Sequence, residues 1–412
     1  MNASRPMVIV GAGHAGGRAA QALREFGWSG EILLIGDEAH LPYERPPLSK
    51  GLLTGERDAA SCALRPAEAY EADRISHVVE PVASIDGSAS EVTLAEGKRI
   101  GYQALLLATG GHLRKLTIPG AHLPGVIGLR TLDDAAALAP RLMPGAQIVV
   151  IGGGFIGLEV AAAARQRGCE VCVVEGADRL LGRAVPEAIA AEVLGLHLAR
   201  GVDVRLQTTP QEIDALADGR LRVRMMDASV LSATTVVVGI GIEPATELAR
   251  AANLSVNRGV EVNAELAASV PGIFAAGDVS EFPSPLSGKP IRQESWHNAE
   301  TQARTAARNM LGGHERYEAL PWVWSDQYDH VLQVGGEPVL GLDTVTRTWR
   351  SAQIQFHVDA EGGLVGVSGF GESAAIAKEF KLARMLVERR LRPRADELSN
   401  VNVTLKSLLR AA

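Results

Sequence analysis

Two blocks of the chain repeat the same order of hydrophobic and polar positions. Each block opens with four apolar, mostly β-branched residues, which is typical of a buried parallel strand. A segment with helical spacing follows, and a glycine (Gly27 or Gly168) stands where that helix would end. The predicted elements are strands Met7–Val10 and Glu31–Ile35 around helix Ala15–Phe26, and strands Ile148–Ile151 and Glu170–Val174 around helix Ile156–Arg167. The pattern therefore predicts two β-α-β units.

The turn between strand and helix has the same glycine spacing, G-x-G-x-x-G, in both units. The first glycine permits a tight turn, the second lets the backbone approach a pyrophosphate, and the third lets the helix pack on the strand. The pyrophosphate then meets the free N–H groups at the start of the helix. These glycines are Gly11, Gly13 and Gly16 in the first unit and Gly152, Gly154 and Gly157 in the second.

An acidic residue follows each turn at the distance expected for binding the ribose hydroxyls of a dinucleotide. Asp37 comes 21 residues after Gly16, and Glu175 comes 18 residues after Gly157. One such motif is weak evidence, because an ordinary glycine turn has the same letters. Two copies with strand, helix and acid in place predict two dinucleotide sites. Glu175 also favours NADH over NADPH, unless Arg179 turns in to meet a 2′-phosphate.

The composition fits a packed enzyme rather than a nucleic-acid-binding or membrane protein. With 412 residues, the chain is long enough for two or three domains. Its net charge of −7 gives no overall attraction to nucleic acid or anionic lipid, and its apolar runs are shorter than the about 18 residues that span a bilayer. From three cysteines and no export signal we expect a cytoplasmic protein that binds neither nucleic acid nor membrane.

Further motifs are spread over almost the whole chain. Besides the two glycine turns they are Tyr43–Lys50, Ala108–Gly110, Leu129–Thr131, Gly239–Pro244, Ile273–Asp278 and Pro321–Gln327. With these motifs the chain resembles the flavoprotein NAD(P)H:disulfide-reductase superfamily. Within it, the chain resembles the FAD-dependent NADH:ferredoxin reductases that serve bacterial cytochrome P450 systems and Rieske dioxygenases. In combination the motifs are specific for this type of reductase.

The resemblance implies an α/β fold with two Rossmann-like domains of the glutathione-reductase type and an α+β C-terminal domain. The expected divisions are a discontinuous FAD-binding domain at 1–110 and 240–319, an NAD-binding domain at 111–239, and a C-terminal domain at 320–412. Pro-Gly pairs at 119–120 and 124–125, and Pro244, agree with chain crossings between domains.

The resemblance also implies which residues bind the cofactors. For FAD they are Gly11, Gly13, Ala15, Gly16, Asp37, Arg45, Lys50, Val82, Ala108, Thr109, Gly110, Arg130, Asp278 and Trp296. For NAD they are Gly152, Gly154, Phe155, Ile156, Gly157, Glu159, Glu175, Arg183, Gly241 and Glu294. Lys50, Glu159 and Trp324 are expected nearest the redox chemistry, with Lys50 and Glu159 as a buried pair. Solvated helix charges are the alternative for that pair, and core packing is the alternative for Trp324.

A redox cysteine pair beside the flavin is missing from the sequence. Disulfide-reducing relatives carry C-x-x-x-x-C there, whereas Pro46–Lys50 contains no cysteine. A disulfide reductase of that kind is therefore excluded. Cys169 and Cys172 form a C-x-x-C pair, but residues three apart in a strand point to opposite faces, so we predict two buried thiols. No second Cys/His pair lies nearby, and we predict no metal site.

With no thiol to accept them, the electrons are expected to leave the flavin for another protein. The hypothesis is that NADH gives a hydride to FAD, and that single electrons pass to a small [2Fe–2S] ferredoxin and through it to an oxygenase. An acidic ferredoxin would need a local basic patch, for which Arg65, Arg304 and Arg308 are candidates. Scattered surface arginines are the alternative. We expect a monomer or weak dimer.

Three other functions stay open at this stage. They are a rubredoxin reductase, an NADH:quinone reductase and a non-catalytic FAD-binding signalling protein. A quinone enzyme would need a membrane-binding helix, and Ile376–Leu391 has an amphipathic pattern. Packing of that helix on its own domain is the simpler interpretation.

Overall fold

The computed structural model of the protein describes residues 5–182 and 184–410. In that part of the chain the strands are β1 Met7–Val10, β2 Ile32–Gly36, β3 Ile75–Val79, β4 Val82–Asp86, β5 Glu91–Leu94, β6 Arg99–Gly101, β7 Ala104–Leu107, β8 Gly111–Leu113, β9 Val126–Gly128, β10 Gln147–Ile151, β11 Glu170–Val174, β12 Asp203–Arg205, β13 Pro210–Ala215, β14 Leu221–Met225, β15 Val230–Ala233, β16 Thr235–Val238, β17 Ile242–Pro244, β18 Val260–Glu261, β19 Ile273–Ala275, β20 Ser280–Pro283, β21 Pro290–Ile291, β22 Trp322–Gln327, β23 His330–Gly336, β24 Asp343–Trp349, β25 Ala352–Val358 and β26 Leu364–Glu372.

The α-helices of the same residues are α1 His14–Glu25, α2 Gly51–Thr54, α3 Ala67–Ala72, α4 Leu132–Leu138, α5 Phe155–Gln166, α6 Glu187–Ala199, α7 Glu247–Ala251, α8 Trp296–Met310, α9 Ser373–Glu388, α10 Ala395–Ser399 and α11 Leu405–Arg410. Single 3₁₀ turns lie at Pro46–Ser49, Ala60–Cys62, Ala139–Arg141 and Pro338–Leu340. The elements fall into two units. The first unit comprises residues 5–45, 60–112 and 242–321, and the second comprises 46–59, 113–241 and 322–410.

The first unit is built on a parallel sheet with the strand order β19-β7-β1-β2-β3. All four residues of its central strand β1 are buried, as expected for a strand that is covered on both faces. Helices α1 and α8 pack against each other beside this sheet. Two smaller sheets, β4-β5-β6 and β18-β20-β21, complete the unit.

The second unit contains a parallel sheet in the order β12-β11-β10-β16-β9 and an antiparallel sheet β13-β14-β15. Its C-terminal part is an antiparallel sheet in the order β22-β23-β26-β25-β24. Helix α9 packs on β23 and β26 and buries Ile376, Phe380, Ala383, Leu386 and Val387. The amphipathic segment of the sequence therefore covers its own sheet. In residues 5–182 and 184–410, no helix has the length and apolarity to cross a bilayer.

The fold class expected from the resemblance is confirmed: two Rossmann-like α/β parts and a C-terminal α+β part are present. The predicted helix starts are one residue late, because His14 and Phe155 already begin α1 and α5. The preceding Gly13 and Gly154 are extended, so the residue after each is the first that takes helical angles. The first unit's second strand is also shifted by one residue, to Ile32–Gly36. The three-domain division stays a prediction.

The third glycine of each turn is required by a close approach between helix and turn. A Cβ added to Gly16 would overlap the carbonyl oxygen of Gly11, and a Cβ added to Gly157 would overlap that of Gly152. Both obstacles are backbone atoms, which a rotamer change does not move. The packing role that the spacing predicts for these glycines thus has a steric cause.

We expect Gly157→Ala to lower the free energy of unfolding by roughly 1–3 kcal/mol or to prevent folding, because overpacked sites strain the backbone. Gly195→Ala is the matched control. Gly195 is exposed in α6 with no described heavy atom within 4 Å of an added Cβ, so alanine there should stabilise by about 0.5–1 kcal/mol. Urea unfolding of both variants checks this, and a wild-type midpoint for Gly157→Ala would contradict it.

Candidate functional site

The first nucleotide turn joins β1 to α1 and leaves the start of the helix open. Gly13 precedes α1 and has no side chain to bond the first N–H groups of this twelve-residue helix. Arg45 Nη2, at 3.8 Å, is the described atom nearest to the position of a Cβ on Gly13. Free N–H groups, a helix dipole and open space above the turn are what a pyrophosphate requires.

The second nucleotide turn joins β10 to α5 in the same way. Among the described residues, no heavy atom lies within 4 Å of a Cβ position on Gly154. The Glu175 carboxylate holds the turn, because it accepts hydrogen bonds from Gly153 N at 2.7 Å and Ala177 N at 2.8 Å. Phe155 and Ile156 form the first turn of α5, and Ile156 is exposed. Arg183, predicted to bind NAD, lies outside the described residues.

A carboxylate missed by the sequence reasoning lies next to the predicted ribose ligand. Asp37 directly follows β2, but the adjacent Glu38 is the acid that pairs with Arg45, at 2.9 Å. Glu38 also accepts a hydrogen bond from the Tyr43 hydroxyl. The only signal in the sequence was that two acids follow β2 in succession, and spacing alone does not say which of them turns toward Arg45.

The other predicted FAD residues of the first unit lie at strand and helix ends. Ala108, Thr109 and Gly110 directly follow β7, and the Thr109 hydroxyl donates to Ala245 O at 2.8 Å. Val82 begins β4 and is buried. Trp296 begins α8 and donates to Glu44 Oε1 at 3.3 Å.

An arginine joins two predicted site residues that lie far apart in the sequence. Arg292 contacts Glu294 Oε1 at 2.6 Å and donates to Asp278 O at 3.3 Å. Asp278 lies three residues after the end of β19. Glu294, predicted for NAD, belongs to the first unit, whereas Lys50 and Arg130, predicted for FAD, belong to the second. Arg130 precedes α4 and donates its backbone N–H to Asp134 at 2.8 Å.

Behind the first nucleotide turn lies an ionic cluster that the sequence did not reveal. Glu300 of α8 accepts from His14 at 2.9 Å and from two nitrogens of Arg18, at 2.5 and 2.7 Å. Burial by itself would raise the pKa of Glu300, but the hydrogen bonds and charges of His14 and Arg18 prevail and lower it to about 2. The cluster fixes α1, which carries the turn, to α8.

In the second unit the structure brings Lys50 and Glu159 together. Lys50 Nζ lies 2.8 Å from Glu159 Oε2, and Glu159 is 4% exposed. Ser325 donates its hydroxyl to Glu159 Oε1 at 2.6 Å, and Ser49 donates to Oε2. Lys50 also lies 3.8 Å from Asp326 Oδ2. The solvated-charge alternative is wrong for Glu159, which is buried with three donors, and the catalytic role of the pair stays a prediction.

Two details of the predicted site require correction. The predicted helix start at Ile156 puts Glu159 in the first turn, but α5 begins at Phe155 and Glu159 lies in its second turn. Cys172 is partly exposed rather than buried, because its neighbour β12 is a short edge strand. Its thiol donates to Asp203 at 3.4 Å, and burial together with that carboxylate raises its pKa to about 12. Cys169 is buried and donates to Met143 O. Neither Cys169 nor Cys172 forms a disulfide, and a protonated thiol is a poor nucleophile.

The two tryptophans of β22 lie on one side of the strand, as their spacing predicts. The rings of Trp322 and Trp324 stack with their centroids 5.1 Å apart. Arg384 lies over the Trp322 ring at 4.4 Å, and Trp322 donates to Gln333. Gly241, predicted for NAD, has a φ of +100° and accepts a hydrogen bond from Arg114 N.

Each of the three arginines predicted for partner binding has a carboxylate neighbour. The contacts are Arg65 to Asp73 at 2.6 Å, Arg304 to Glu25 at 2.5 Å and Arg308 to Glu315 at 4.0 Å. Arg304 and Arg308 both lie over the Phe26 ring. Their positive charge is therefore partly offset, and the partner patch stays a prediction. Among the described residues no group of three His, Cys, Asp or Glu side chains is placed to hold a metal ion.

Comparison with known proteins identifies two matched families along the chain. Residues 5–303 match the family described as pyridine nucleotide-disulphide oxidoreductase, and residues 322–409 match the family described as reductase C-terminal. The chain is 41% identical over 409 residues to the ferredoxin–NAD(+) reductase component of the anthranilate 1,2-dioxygenase system of Burkholderia cepacia, covering 98% of this chain and 99% of that protein. It is 36% identical to putidaredoxin reductase of Pseudomonas putida, covering 100% and 98%.

Solved structures give the same result. The covalent putidaredoxin reductase–putidaredoxin complex matches with a TM-score of 0.94 at 35% identity, covering 100% of this chain and 99% of that one. The ferredoxin reductase of the CYP199A2 system from Rhodopseudomonas palustris matches with a TM-score of 0.92 at 37% identity, covering 98% and 99%.

The Glu300 cluster predicts a pH-dependent contribution to stability. The carboxyl has a pKa of about 2 in the folded chain against an ordinary 4.5, so its contribution is complete above about pH 4.5 and is lost as the pH falls toward 2. Glu300→Gln should therefore be less stable than wild type at pH 7, and the gap should narrow with acidification. Urea midpoints measured from pH 7 down to pH 3 check this, and a constant gap would contradict it.

Proposed function

The chain belongs to the pyridine nucleotide-disulphide oxidoreductase family, and we propose that it is an FAD-dependent NADH:ferredoxin reductase. It takes a hydride from NADH and passes single electrons to a [2Fe–2S] ferredoxin that serves an oxygenase. Relatives that match it from end to end are named as ferredoxin–NAD(+) reductase components of dioxygenase systems and as putidaredoxin reductase.

The observation that carries the proposal is the set of groups around Glu159. Lys50 supplies an ammonium, and Ser49 and Ser325 supply hydroxyls. The sequence has no cysteine before Cys62, so the segment that meets Glu159 offers no thiol to form a disulfide acceptor. Electrons that enter such a flavoprotein have to leave for an external acceptor.

The first nucleotide turn fits FAD because the space over Gly13 is open and the first N–H groups of α1 have no capping side chain. When bound, FAD supplies hydride acceptance and one-electron release, which protein side chains lack. The residues of the first unit that we assign to it are Gly11, Gly13, Ala15, Gly16, Asp37, Arg45, Val82, Ala108, Thr109, Gly110, Asp278 and Trp296.

The second nucleotide turn fits NADH for the same reason, and its surroundings favour NADH over NADPH. Glu175 places a carboxylate at the end of β11, where a 2′-phosphate would be repelled. Arg179 is already engaged, because it donates to Val185 O at 2.9 Å and to Gly182 O at 2.7 Å. Turning toward a 2′-phosphate would break both hydrogen bonds.

Lys50, Glu159 and Trp324 are the residues that we assign to the redox centre. Glu159 holds the Lys50 ammonium at 2.8 Å, which keeps a positive charge at a fixed position in a largely desolvated site. A fixed charge of this kind stabilises developing negative charge without reorganisation. The half-exposed Asp326 gives the ammonium a second carboxylate neighbour toward solvent.

The acceptor is a ferredoxin rather than a membrane quinone, because α9 buries its apolar face on its own sheet. The patch Arg65, Arg304 and Arg308 remains our candidate for the partner surface. We also retain the division into an FAD domain, an NAD domain and a C-terminal domain. The count of three cysteines suits a reducing compartment, and on that basis we propose the cytoplasm.

The proposal predicts that anaerobic NADH bleaches the flavin of the holoenzyme and that cytochrome c is reduced only when a [2Fe–2S] ferredoxin is added. NADPH should react more slowly at equal concentration, because Glu175 repels its extra phosphate. Stopped-flow and steady-state absorbance measure both reactions, with rubredoxin and a soluble quinone as alternative acceptors. Faster turnover with quinone than with every ferredoxin tested would contradict the assignment.

The two open turns predict cofactor-specific effects of matched alanine substitutions. Gly154→Ala fills the space over the second turn and should weaken NADH binding at least about tenfold while the FAD content stays at wild-type level. Gly13→Ala should lower the FAD content, while NADH binding to the protein that retains FAD stays at the wild-type level. Flavin absorbance per protein and the concentration dependence of flavin reduction measure the two effects. Equal loss of FAD in both variants would contradict the assignment of the turns.

A further inference from the structure

A continuous series of buried polar side chains extends from Glu159 to helix α6. Ser325 and Gln327 lie on one face of β22, since they are two residues apart, and His197 lies in the last turn of α6. All three are fully buried, at 0% exposure. Burying polar groups costs free energy unless each one is hydrogen-bonded, so each of these side chains is expected to have a hydrogen-bond partner.

The hydrogen bonds of the series have one direction. His197 Nε2 lies 2.9 Å from Gln327 Oε1, and an amide oxygen can only accept, so the imidazole hydrogen is on Nε2. Gln327 Nε2 then donates to Ser325 Oγ at 2.8 Å, and the Ser325 hydroxyl donates to Glu159 Oε1 at 2.6 Å. Every donor therefore points toward Glu159.

The outer end of the series is also fixed. His197 Nδ1, the nitrogen without the hydrogen, lies 3.4 Å from the Tyr328 hydroxyl. Arg200 lies over the Tyr328 ring at 4.9 Å and pairs with Asp329 at 2.7 Å. Burial lowers the pKa of His197, with a smaller opposing effect of Gln327, which is consistent with a neutral ring that carries one hydrogen.

The reverse arrangement would leave Glu159 without a donor on one oxygen. If the Gln327 amide turned over, its oxygen would face Ser325, and its NH₂ would face His197 Nε2. The Ser325 hydroxyl would then bond Gln327, and two acceptors would face each other across the 2.6 Å contact with Glu159. The acceptor-only carboxylate of Glu159 therefore fixes Gln327 with its NH₂ group toward Ser325 and its oxygen toward His197, and this oxygen requires a hydrogen on His197 Nε2.

We propose that Ser325, Gln327 and His197 are positioning residues that hold the Glu159 carboxylate, and through it the Lys50 ammonium, in one orientation for flavin reduction by NADH. The inference rests on the proposed function, because it gives the Lys50–Glu159 pair a role in that reaction. Oε1 of Glu159 is held by Ser325, and Oε2 by Lys50 and Ser49. Without the first of these bonds the carboxylate can rotate and carry Lys50 with it.

The test uses the holoenzyme and four variants. Ser325→Ala removes the donor to Glu159, Gln327→Met keeps the length of the side chain but removes both of its hydrogen bonds, and the double variant combines them. His357→Phe is the control. His357 is another buried histidine, 4% exposed, whose ring lies 3.1 Å from the Ser368 hydroxyl in the same C-terminal sheet, and none of its described hydrogen bonds reaches the series.

The first measurement is the single-turnover rate constant for flavin reduction at saturating NADH, together with the apparent Kd of NADH. Loss of one hydrogen bond to a charged group should lower the rate constant of Ser325→Ala about tenfold, with the Kd unchanged. Gln327→Met should lower it less, and the double variant should be no slower than Ser325→Ala, because Gln327 acts only through Ser325. His357→Phe should retain the wild-type rate constant.

The second measurement does not depend on turnover. In ¹⁵N NMR of the imidazole nitrogens, wild-type His197 should carry its hydrogen on Nε2, and Gln327→Met should lose this preference. A hydrogen on Nδ1 in the wild type overturns the proposal, whatever the variants do. Rate effects of Ser325→Ala and Gln327→Met that multiply, or that His357→Phe reproduces, also overturn it. If NADH does not reduce the wild-type flavin, the proposed function fails, and the NMR result still decides the orientation of the series.

Discussion

A buried carboxylate in the second turn of helix α5 is the constraint on which the second unit depends. Glu159 is almost fully desolvated, and a desolvated charge is tolerated only where donors surround it. Its three donors come from two separate parts of the chain: Ser49 and Lys50 at the end of the Pro46–Ser49 turn, and Ser325 of strand β22. Satisfying one side chain thus ties together segments about 110 and 166 residues away in the sequence.

The two glycine turns, to which we assign the nucleotides, follow a different logic, in which backbone N–H groups rather than side chains would meet the phosphates. Gly16 and Gly157 are required so that α1 and α5 can approach their turns, and Gly13 and Gly154 keep the space above them clear. A negatively charged group is stabilised there because helix N-termini carry N–H groups without a partner in the helix. Side chains act one layer behind: Glu175 braces the second turn, and Glu300 ties α1 to α8 behind the first.

The separate contributions of cofactors and protein explain why the chain suits electron transfer to a protein. Cofactors supply the redox chemistry, and we assign to the protein two nucleotide-binding turns and a fixed ion pair. Its thiols are placed for packing, with Cys169 buried against Met143 and Cys172 bonded to Asp203. Burial raises the pKa of both thiols, which keeps them protonated and poor nucleophiles. Pro46–Lys50 contains no cysteine, in agreement with our proposal that the electrons leave the flavin for an external acceptor.

Local patterns in the sequence determined the β-α-β units and the two turns, because strand alternation and helix periodicity act over a few residues. They placed the helix starts one residue late, since the pattern does not show where helical angles begin. Only the tertiary structure decided which acid binds Arg45, how Glu300 is held, and that His197, Gln327 and Ser325 lead to Glu159. These choices depend on contacts between segments that are distant in the sequence. The periodicity of hydrophobic positions does not show which polar groups hydrogen-bond to each other.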